Sequence, residues 1–285
     1  MRTLREAITE CAQAGKAMGH FNISDSNQLH ALAAASKEVG LPVIVGLSEG
    51  ERDFFPLSHA RALIDIYRTE GVELFLNADH TYSIERVREA IAAGVDSVVV
   101  DGAKLSFEEN VKMLAAAVAE ARVSGRDIII EGELGYIGQS SKPLDTLPEG
   151  VSIENLTTAE EAKRFVAETG IDCFAPAVGN VHGMLKNAAE PKLHPDRVKE
   201  IAEATGVPLV LHGASGNTEE EIRACIKAGV AIVHINTELR VAYRKGIEAS
   251  FAAHPDEVAP YKFLAPAVAE MQQFVVGKLR AFAGE

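Results

Sequence analysis

The sequence predicts an α/β fold of the TIM (β/α)8 barrel type, formed as a single domain by residues 1–285. Eight short apolar, β-branched runs alternate along the chain with amphipathic stretches of helical period. Runs such as 98–100 and 128–130 are apolar without a break, as is typical of parallel strands buried on both faces. A doubly wound sheet that binds a dinucleotide is the alternative. It is disfavoured because no predicted strand is followed by G-x-G-x-x-G.

The predicted elements follow one another in regular order. We expect strands at 17–21, 43–47, 74–77, 97–100, 127–131, 173–177, 209–211 and 232–235. We expect helices at 27–39, 59–70, 83–92, 107–124, 158–168, 195–204, 219–228 and, as a last apolar helix, 266–282. A glycine follows each helix that lies between two strands, where it can take the left-handed conformation that ends a helix. The polar segment 138–155 is either an active-site flap at the barrel mouth or a solvated surface loop.

Composition narrows the possible functions. The formal net charge of −13 argues against nucleic-acid binding, which needs a basic surface. No run of about 18 apolar residues is present, so we expect no membrane span, and the N-terminus lacks the apolar core of a signal peptide. Cys11, Cys173 and Cys225 lie far apart and have no C-x-x-C partner, which indicates reduced thiols of a cytoplasmic protein.

Residues with metal-binding or acid–base capacity collect at the ends of the predicted strands, where TIM barrels carry their active sites. His80, His182 and His212 each stand at or just past the end of a different strand. Three converging imidazoles suit zinc, cobalt or nickel, and three protein ligands leave the open position that marks catalytic zinc. Asp79 stands beside the first histidine as a proton-transfer carboxylate. Glu133 is predicted to be a further ligand or to orient a histidine; the alternative is a buried carboxylate paired with a cation.

A phosphate site is predicted close to the histidines. The candidate residues follow the seventh and eighth strands: Gly213, Ala214, Ser215, Asn236 and Thr237. In TIM barrels these two loops frequently hold a phosphate, and backbone N–H groups at a helix start attract anions. Lys186, four residues after His182, is predicted to reach the same phosphate as a point charge. Alone, the Gly-Ala-Ser-Gly motif at 213–216 would more often be an ordinary turn.

Taken together, the motifs resemble those of the class II, zinc-dependent ketose-bisphosphate aldolases, which include fructose-1,6-bisphosphate and tagatose-1,6-bisphosphate aldolases. The likeness spans nearly the whole chain and passes through the segments 19–22, 46–50, 78–80, 131–135, 181–183, 209–216, 235–238, 263–267 and 276–278. The resemblance implies that His80, His182 and His212 bind one catalytic zinc ion and that Asp79 exchanges a proton with the aldehyde-derived oxygen. It also implies that the dihydroxyacetone phosphate half of the substrate is bound by Gly183, Lys186, Gly213, Ala214, Ser215, Asn236 and Thr237. Asn22 and Ser48 match positions near the other end of the substrate.

The implied reaction is reversible cleavage of a ketose 1,6-bisphosphate to dihydroxyacetone phosphate and glyceraldehyde 3-phosphate, with fructose 1,6-bisphosphate as the leading candidate. Zinc would act as a Lewis acid that stabilises the negative charge left by cleavage. Asp79 would take the proton of the C4 hydroxyl. A Schiff-base mechanism is disfavoured because no lysine ends a predicted strand; Lys104 comes closest. The resemblance also implies a homodimer or homotetramer in carbohydrate metabolism, such as glycolysis. It leaves open a second divalent or monovalent cation.

Three positions depart from the family pattern. His234 stands where the family usually has an asparagine that holds the enediolate, so it is a further catalytic candidate that could donate a similar hydrogen bond or change the substrate preference. The flap lacks the family's acidic cluster, which leaves Asp145 and Glu149 as candidates for the base that deprotonates dihydroxyacetone phosphate. Segment 101–104 reads Asp-Gly-Ala-Lys instead of Asp-Ala-Ser-His. Two alternatives therefore stay open: an aldolase for tagatose 1,6-bisphosphate or another phosphorylated sugar, and a sugar-phosphate binding protein without turnover.

Overall fold

The computed structural model describes residues 2–138, 142–151 and 156–285, and its closed parallel sheet confirms the predicted TIM barrel. The strands of the barrel are Met18–Asn22 (β1), Val43–Leu47 (β2), Leu74–Thr81 (β3), Ser97–Val100 (β4), Ile129–Leu134 (β5), Cys173–Pro176 (β7), Leu209–Leu211 (β9) and Val230–His234 (β10). They are joined in the closed order β1-β10-β9-β7-β5-β4-β3-β2. Two short strands, Pro143–Leu144 (β6) and Met184–Leu185 (β8), form a separate parallel pair.

Helices separate the strands and surround the barrel. In chain order they are Leu4–Gln13 (α1), Ser26–Val39 (α2), Glu49–Phe54 (α3), Leu57–Thr69 (α4), Ile84–Ala93 (α5), Phe107–Val123 (α6), Ala159–Thr169 (α7), Pro195–Thr205 (α8), Glu219–Ala228 (α9), Thr237–Ala253 (α10) and Pro260–Ala283 (α11). Every predicted strand and helix is present with ends that shift by a few residues, the largest shift being the start of α11. The helices α1, α3 and α10 and the short strands β6 and β8 have no counterpart among the predicted ranges. None of the described helices is long and apolar enough to cross a membrane.

The chain signals its own helix boundaries. In α1, α3, α6, α7 and α9, a serine or threonine at the N-cap and a glutamate three residues later exchange hydrogen bonds as a capping box. Glycines in the left-handed conformation end five of the described helices, α2, α5, α7, α8 and α11. These local signals are the reason why the helix ends lie close to their predicted positions.

The interior of the barrel changes from apolar to polar along the strands. Successive side chains of a strand point to opposite faces, so every second residue points inward. At the N-terminal ends of the strands, the inward residues pack with α1 in one buried apolar cluster: Leu4, Ala7, Ile8, Met18, Ile44, Phe75, Ile129, Cys173, Ala175, Val210, Ala231 and Ile232. Two residues further along, the inward positions are polar, as in the series Met18, His20, Asn22 of β1. The amphipathic helix α1 therefore closes the lower end of the barrel, and the polar residues collect at the upper end.

Part of the segment 138–155 lies beside the barrel mouth. Its strand β6 pairs with β8, which follows the predicted metal ligand His182, in the register Pro143 to Met184 and Leu144 to Leu185. Residues 139–141 and 152–155 lie outside the described residues. The role of the whole segment as a flap is therefore a prediction.

Candidate active site

The three histidines that the sequence predicts as metal ligands meet at the mouth of the barrel. His80, His182 and His212 each offer a ring nitrogen, and these nitrogens lie within 4.8 Å of one another. The ring centroid of His80 lies 5.0 Å from that of His182 and 5.3 Å from that of His212. Such spacing lets the three rings face one ion.

The hydrogen bonds of the three rings leave one nitrogen of each available to a metal. His182 Nδ1 donates to the carbonyl oxygen of Gly138 at 2.7 Å, so its Nε2 keeps the lone pair. His80 Nδ1 lies 2.9 Å from Asp101 Oδ2, and His212 Nε2 lies 2.6 Å from Glu131 Oε1. Where these carboxylates are ionised, as a bound cation would favour, each ring donates its proton there and its other nitrogen keeps the lone pair. A partner at the second ring nitrogen is the usual way in which proteins orient metal-binding histidines.

Unpartnered atoms at the centre of the cluster support a cation there. His212 Nδ1 and Glu133 Oε1 are buried, lie 3.1 Å apart, and have no hydrogen-bond partner among the described residues. Glu133 Oε1 is also 3.5 Å from His80 Nδ1. Buried polar atoms are normally satisfied, so these two are suited to bind an ion between them. Glu133 therefore fits the predicted role of a further ligand, and no lysine or arginine is paired with it in the described ion pairs.

The electrostatics of the cluster also favour a divalent cation. Burial, with Asp101 next in importance, raises the pKa of Glu133 well above its usual value, and burial raises the pKa of Glu131 to about 8. Burial lowers the pKa of His182 to about 4, with the nearby charge of His80 as the next cause. His182 is therefore a neutral imidazole, and together with the buried carboxylates it makes a donor set that zinc would fit.

A bulge in β3 brings two neighbouring residues to the same site. Adjacent residues of a regular strand point to opposite faces, but Asp79 and His80 both face the barrel mouth. The pairing of β3 with β4 shifts register between Ala78 and Thr81, and His80 has a φ of +38°, which is unusual for a residue other than glycine. Bulges re-aim side chains in this way and are frequent beside active sites.

Asp79 is held as an ionised carboxylate with one open oxygen. Its Oδ2 accepts a hydrogen bond of 2.8 Å from Asn22 Nδ2, whereas its Oδ1 is buried and has no partner among the described residues. Burial alone would raise the pKa of Asp79, but the charges of His80, His20 and His212 outweigh it and hold that pKa well below its usual range. The open oxygen lies 4.0 Å from His80 Nε2 and 3.8 Å from His234 Nδ1. Asp79 is therefore placed to accept a proton beside the predicted metal ligands.

His234 belongs to a stack of three buried imidazoles. Its ring centroid lies 3.5 Å from that of His20 and 3.9 Å from that of His212. His20 Nε2 contacts Asn77 Oδ1 at 3.1 Å, and a Cβ on Gly46 would come within 2.3 Å of the His20 ring. His20 is not among the site residues predicted from the sequence. His20 lies two residues before the predicted site residue Asn22 on the same strand. The period-two alternation of a strand, which puts both side chains on one face, could have placed His20 in the site.

Most of the predicted phosphate residues surround one small pocket. It is lined by His182, Gly183, Gly213, Ser215, His234, Asn236 and Thr237. Gly213 has a φ of +58°, and a Cβ there would lie 2.5 Å from the carbonyl oxygen of Val181, so only glycine allows this close approach. Ala214, by contrast, is fully buried in the hydrophobic core and is not among the residues that line the pocket.

Four other residues named in the sequence analysis do not line the phosphate pocket. Lys186 is not among the residues that line the phosphate pocket, and its Nζ pairs with Asp145 at 3.1 Å on the surface. Asp145, one of the candidate bases, is thereby engaged with a lysine, and Glu149 is exposed. Lys104 is exposed too, with its Nζ 5.7 Å from the centre of the Tyr136 ring and outside both cavities of the site.

A larger cavity of about 440 Å³ opens on the other side of His182. It is lined by Asn22, Ser48, Glu49, Gly50, Asp79, His80, Tyr82, Lys142, His182 and Arg240. Its size is within the usual range for a small-molecule site. The sequence predicted Asn22 and Ser48 here but not the two cations, Lys142 and Arg240, because neither stands at a strand end. His182 thus lines both the small pocket and the larger cavity, and the larger cavity has charged walls.

Known proteins share this architecture. The family model for fructose-bisphosphate aldolase class-II matches residues 2–285. A probable fructose-bisphosphate aldolase of Bacillus subtilis (strain 168) is 35% identical, over 98% of this chain and 96% of that protein. The fructose-bisphosphate aldolase of Geobacillus stearothermophilus is 34% identical with the same coverage. The crystal structure of the YdjI aldolase from Escherichia coli K12 has a TM-score of 0.82 and 25% identity, covering 98% of this chain and 96% of that chain. The structure of a putative fructose-1,6-bisphosphate aldolase from Coccidioides immitis has a TM-score of 0.83 and 28% identity, covering 98% and 95%.

Proposed function

We propose that this chain, which belongs to the class II fructose-bisphosphate aldolase family and is therefore an aldolase, uses a zinc ion to cleave a ketose 1,6-bisphosphate, with fructose 1,6-bisphosphate as the leading candidate. The products would be dihydroxyacetone phosphate and glyceraldehyde 3-phosphate. The observation that carries the proposal is the convergence of three imidazoles beside an ionised Asp79 whose second oxygen is open.

The metal would be held by His80, His182 and His212, with Glu133 as a further or alternating ligand. When bound, zinc acts as a Lewis acid that stabilises the negative charge left on the ketose half by cleavage of the C3–C4 bond. Asp79 Oδ1 accepts the proton of the C4 hydroxyl during cleavage and returns it during condensation. A second cation, divalent or monovalent, is compatible with the buried carboxylates but is assigned no residues.

The two pockets divide the substrate between them. The small pocket binds the phosphate of the dihydroxyacetone half through backbone N–H groups at Gly213, Ser215 and the start of α10. Gly183, Ala214, Asn236 and Thr237 complete this site, and Lys186 joins it if it leaves Asp145. The larger cavity accepts the aldehyde half beside Asn22 and Ser48.

His234 is proposed to act where the two halves separate. It lines the phosphate pocket, and its Nδ1 lies 3.8 Å from Asp79 Oδ1. From this position the ring can donate a hydrogen bond to the oxygen on which negative charge develops, which is the role expected of the family asparagine.

Metal removal tests the proposal directly. Fructose and tagatose 1,6-bisphosphates are offered side by side to the purified protein before chelation, after EDTA treatment, and after zinc is restored. We expect cleavage that is lost on chelation and recovered with zinc, and that borohydride does not affect. Activity that survives thorough chelation but disappears with borohydride would replace the metal mechanism by a Schiff base.

Two alternatives have specific support. The replacement of the family asparagine by His234 favours a different phosphorylated sugar, and a preference for the tagatose epimer in the same assay would establish that. The pairing of Asp145 with Lys186, instead of an acidic cluster on the flap, favours a binding protein without turnover. In that case the zinc-loaded protein would bind sugar phosphates in calorimetry and release no triose phosphate. A cytoplasmic location and a homodimer or homotetramer are predictions as well; measurement of the native mass tests the latter.

A further inference from the structure

We infer that Glu51, a residue outside the predicted site, is a positioning residue for Asp79 and acts through the side-chain amide of Asn22. The inference rests on the proposed function, because it concerns the orientation of the proposed proton acceptor. Glu51 lies in α3, and its side chain is only 11% exposed although it is charged. A carboxylate so far removed from water needs several partners.

The partners of Glu51 connect three elements of the site. Its Oε2 accepts hydrogen bonds from Asn22 Nδ2 at 2.7 Å and from the backbone nitrogen and hydroxyl of Ser48, both at 2.8 Å. Its Oε1 is 2.6 Å from Nη2 of Arg240, which comes from the first turn of α10. The bonds with Ser48 belong to the capping box of α3. The bonds with Asn22 and Arg240 are additional to capping.

A second capping box in the chain shows what capping alone requires. Glu109 of α6 accepts from the backbone nitrogen and hydroxyl of Ser106 at 3.1 and 2.7 Å, as Glu51 does from Ser48. Glu109 is exposed and lines neither of the two cavities of the site. It therefore provides a matched control for the role of Glu51 in the helix cap.

The orientation of the Asn22 amide follows from its two partners. Asn22 Nδ2 lies 2.7 Å from Glu51 Oε2 and 2.8 Å from Asp79 Oδ2. Both partners are carboxylate oxygens, which can only accept, so the NH₂ group must face them and each of its hydrogens is used. Glu51 thus fixes the amide in the orientation that ties down one oxygen of Asp79.

The consequence for Asp79 is a defined reactive oxygen. The terminal torsion of an aspartate is broad, so an unanchored carboxylate can turn either oxygen toward the substrate at any angle. With Oδ2 held by Asn22, Oδ1 remains as the oxygen that faces His80 and His234. Arg240 contributes by offsetting the charge of Glu51, which would otherwise repel Asp79 across the shared amide.

The test compares Glu51→Gln with Glu109→Gln in the full-length, zinc-loaded protein. Two reactions are followed: cleavage of the ketose bisphosphate, and exchange of the carbon-bound hydrogen of dihydroxyacetone phosphate with deuterated solvent. In the proposed function, Asp79 serves only the first reaction. We expect Glu51→Gln to lower the kcat of cleavage by about 10- to 100-fold, with the KM and the exchange rate unchanged. Glu109→Gln is expected to leave all three values unchanged.

A third variant tests whether the effect passes through Asn22. In an Asn22→Ala background, Glu51→Gln should cause no further loss of kcat, because the connection is already broken. An additive loss, an equal loss of cleavage and exchange, or a Glu51→Gln protein as active as the wild type would each overturn the inference. If the wild-type protein itself cleaves no ketose bisphosphate, the proposed function fails first and the inference fails with it.

Discussion

The substitution Asp79→Asn would test the proposed proton acceptor with little change in shape. The new carbonyl oxygen can accept from Asn22 Nδ2 at the position of Oδ2, so the anchor of 2.8 Å is preserved. The new NH₂ group takes the position of Oδ1 and cannot accept a proton. Loss of a general base costs about 10²- to 10⁴-fold in rate, which corresponds to about 3 to 5 kcal/mol in the activation barrier. We therefore expect cleavage to fall by this amount while the content of bound zinc stays the same.

The matched change is Asp101→Asn. Asp101 contacts Nδ1 of the His80 ring, whereas Asp79 lies near Nε2 of the same ring. Asp101 Oδ2 lies 2.9 Å from His80 Nδ1, so this variant weakens the orientation of a metal ligand and removes no reactive group. We expect its zinc affinity to fall by about 10- to 100-fold and its activity to return in excess zinc. Triose phosphate release is measured with a coupled assay and metal content by elemental analysis. An Asp79→Asn protein with full zinc content and a rate within about two-fold of the wild type would refute the role of Asp79.

Three further predictions concern other parts of the chain. If Lys186 leaves Asp145 to bind phosphate, Lys186→Ala should raise the KM of the bisphosphate and Asp145→Ala should lower it. Each change should be a factor of about two to five, which is the scale of one exposed ion pair. A collapse of kcat in Asp145→Ala would instead identify Asp145 as the base that deprotonates dihydroxyacetone phosphate. Gly213→Ala places a Cβ 2.5 Å from a carbonyl oxygen at a φ of +58°, so we expect a loss of roughly 1 to 3 kcal/mol in unfolding free energy and weaker binding of dihydroxyacetone phosphate in calorimetry; unchanged values would argue against this loop as the phosphate site. Thr158→Ala removes the N-cap of α7 and should lower the unfolding free energy in urea by about 1 kcal/mol with kcat unchanged; a change in kcat would show that this helix end communicates with the site.

The fold could be predicted because its signals are local. Unbroken apolar runs such as Val98 to Val100 mark strands buried on both faces, and glycines after the helices mark their ends. The helix α1 was missed because its pattern, without a preceding strand, does not belong to a β–α repeat. The reason for the helix appears only in the structure, where Leu4 and Ile8 pack against the inward-pointing residues of the strands.

The candidate site was predictable only where residues stand at strand ends. His80, His182 and His212 satisfied this rule, and the structure brings them together. Glu51 and Arg240 did not, since they lie on α3 and α10 and meet across 189 residues of sequence. No local pattern reports a contact of that kind. The bulge that turns both Asp79 and His80 toward the mouth is equally invisible in the sequence.

The barrel also explains how so polar a site can exist inside the protein. Asp79, Glu131 and Glu133 are all more than nine-tenths buried, and burial of unpaired charge is costly. The apolar layer below them and the helix α1 supply compensating stability, so the upper layer is free to be selected for chemistry. Burial raises the pKa values of Glu131 and Glu133, so both carboxylates are costly to ionise inside the barrel. A cation bound among them would offset this cost, so metal binding would also stabilise the native state.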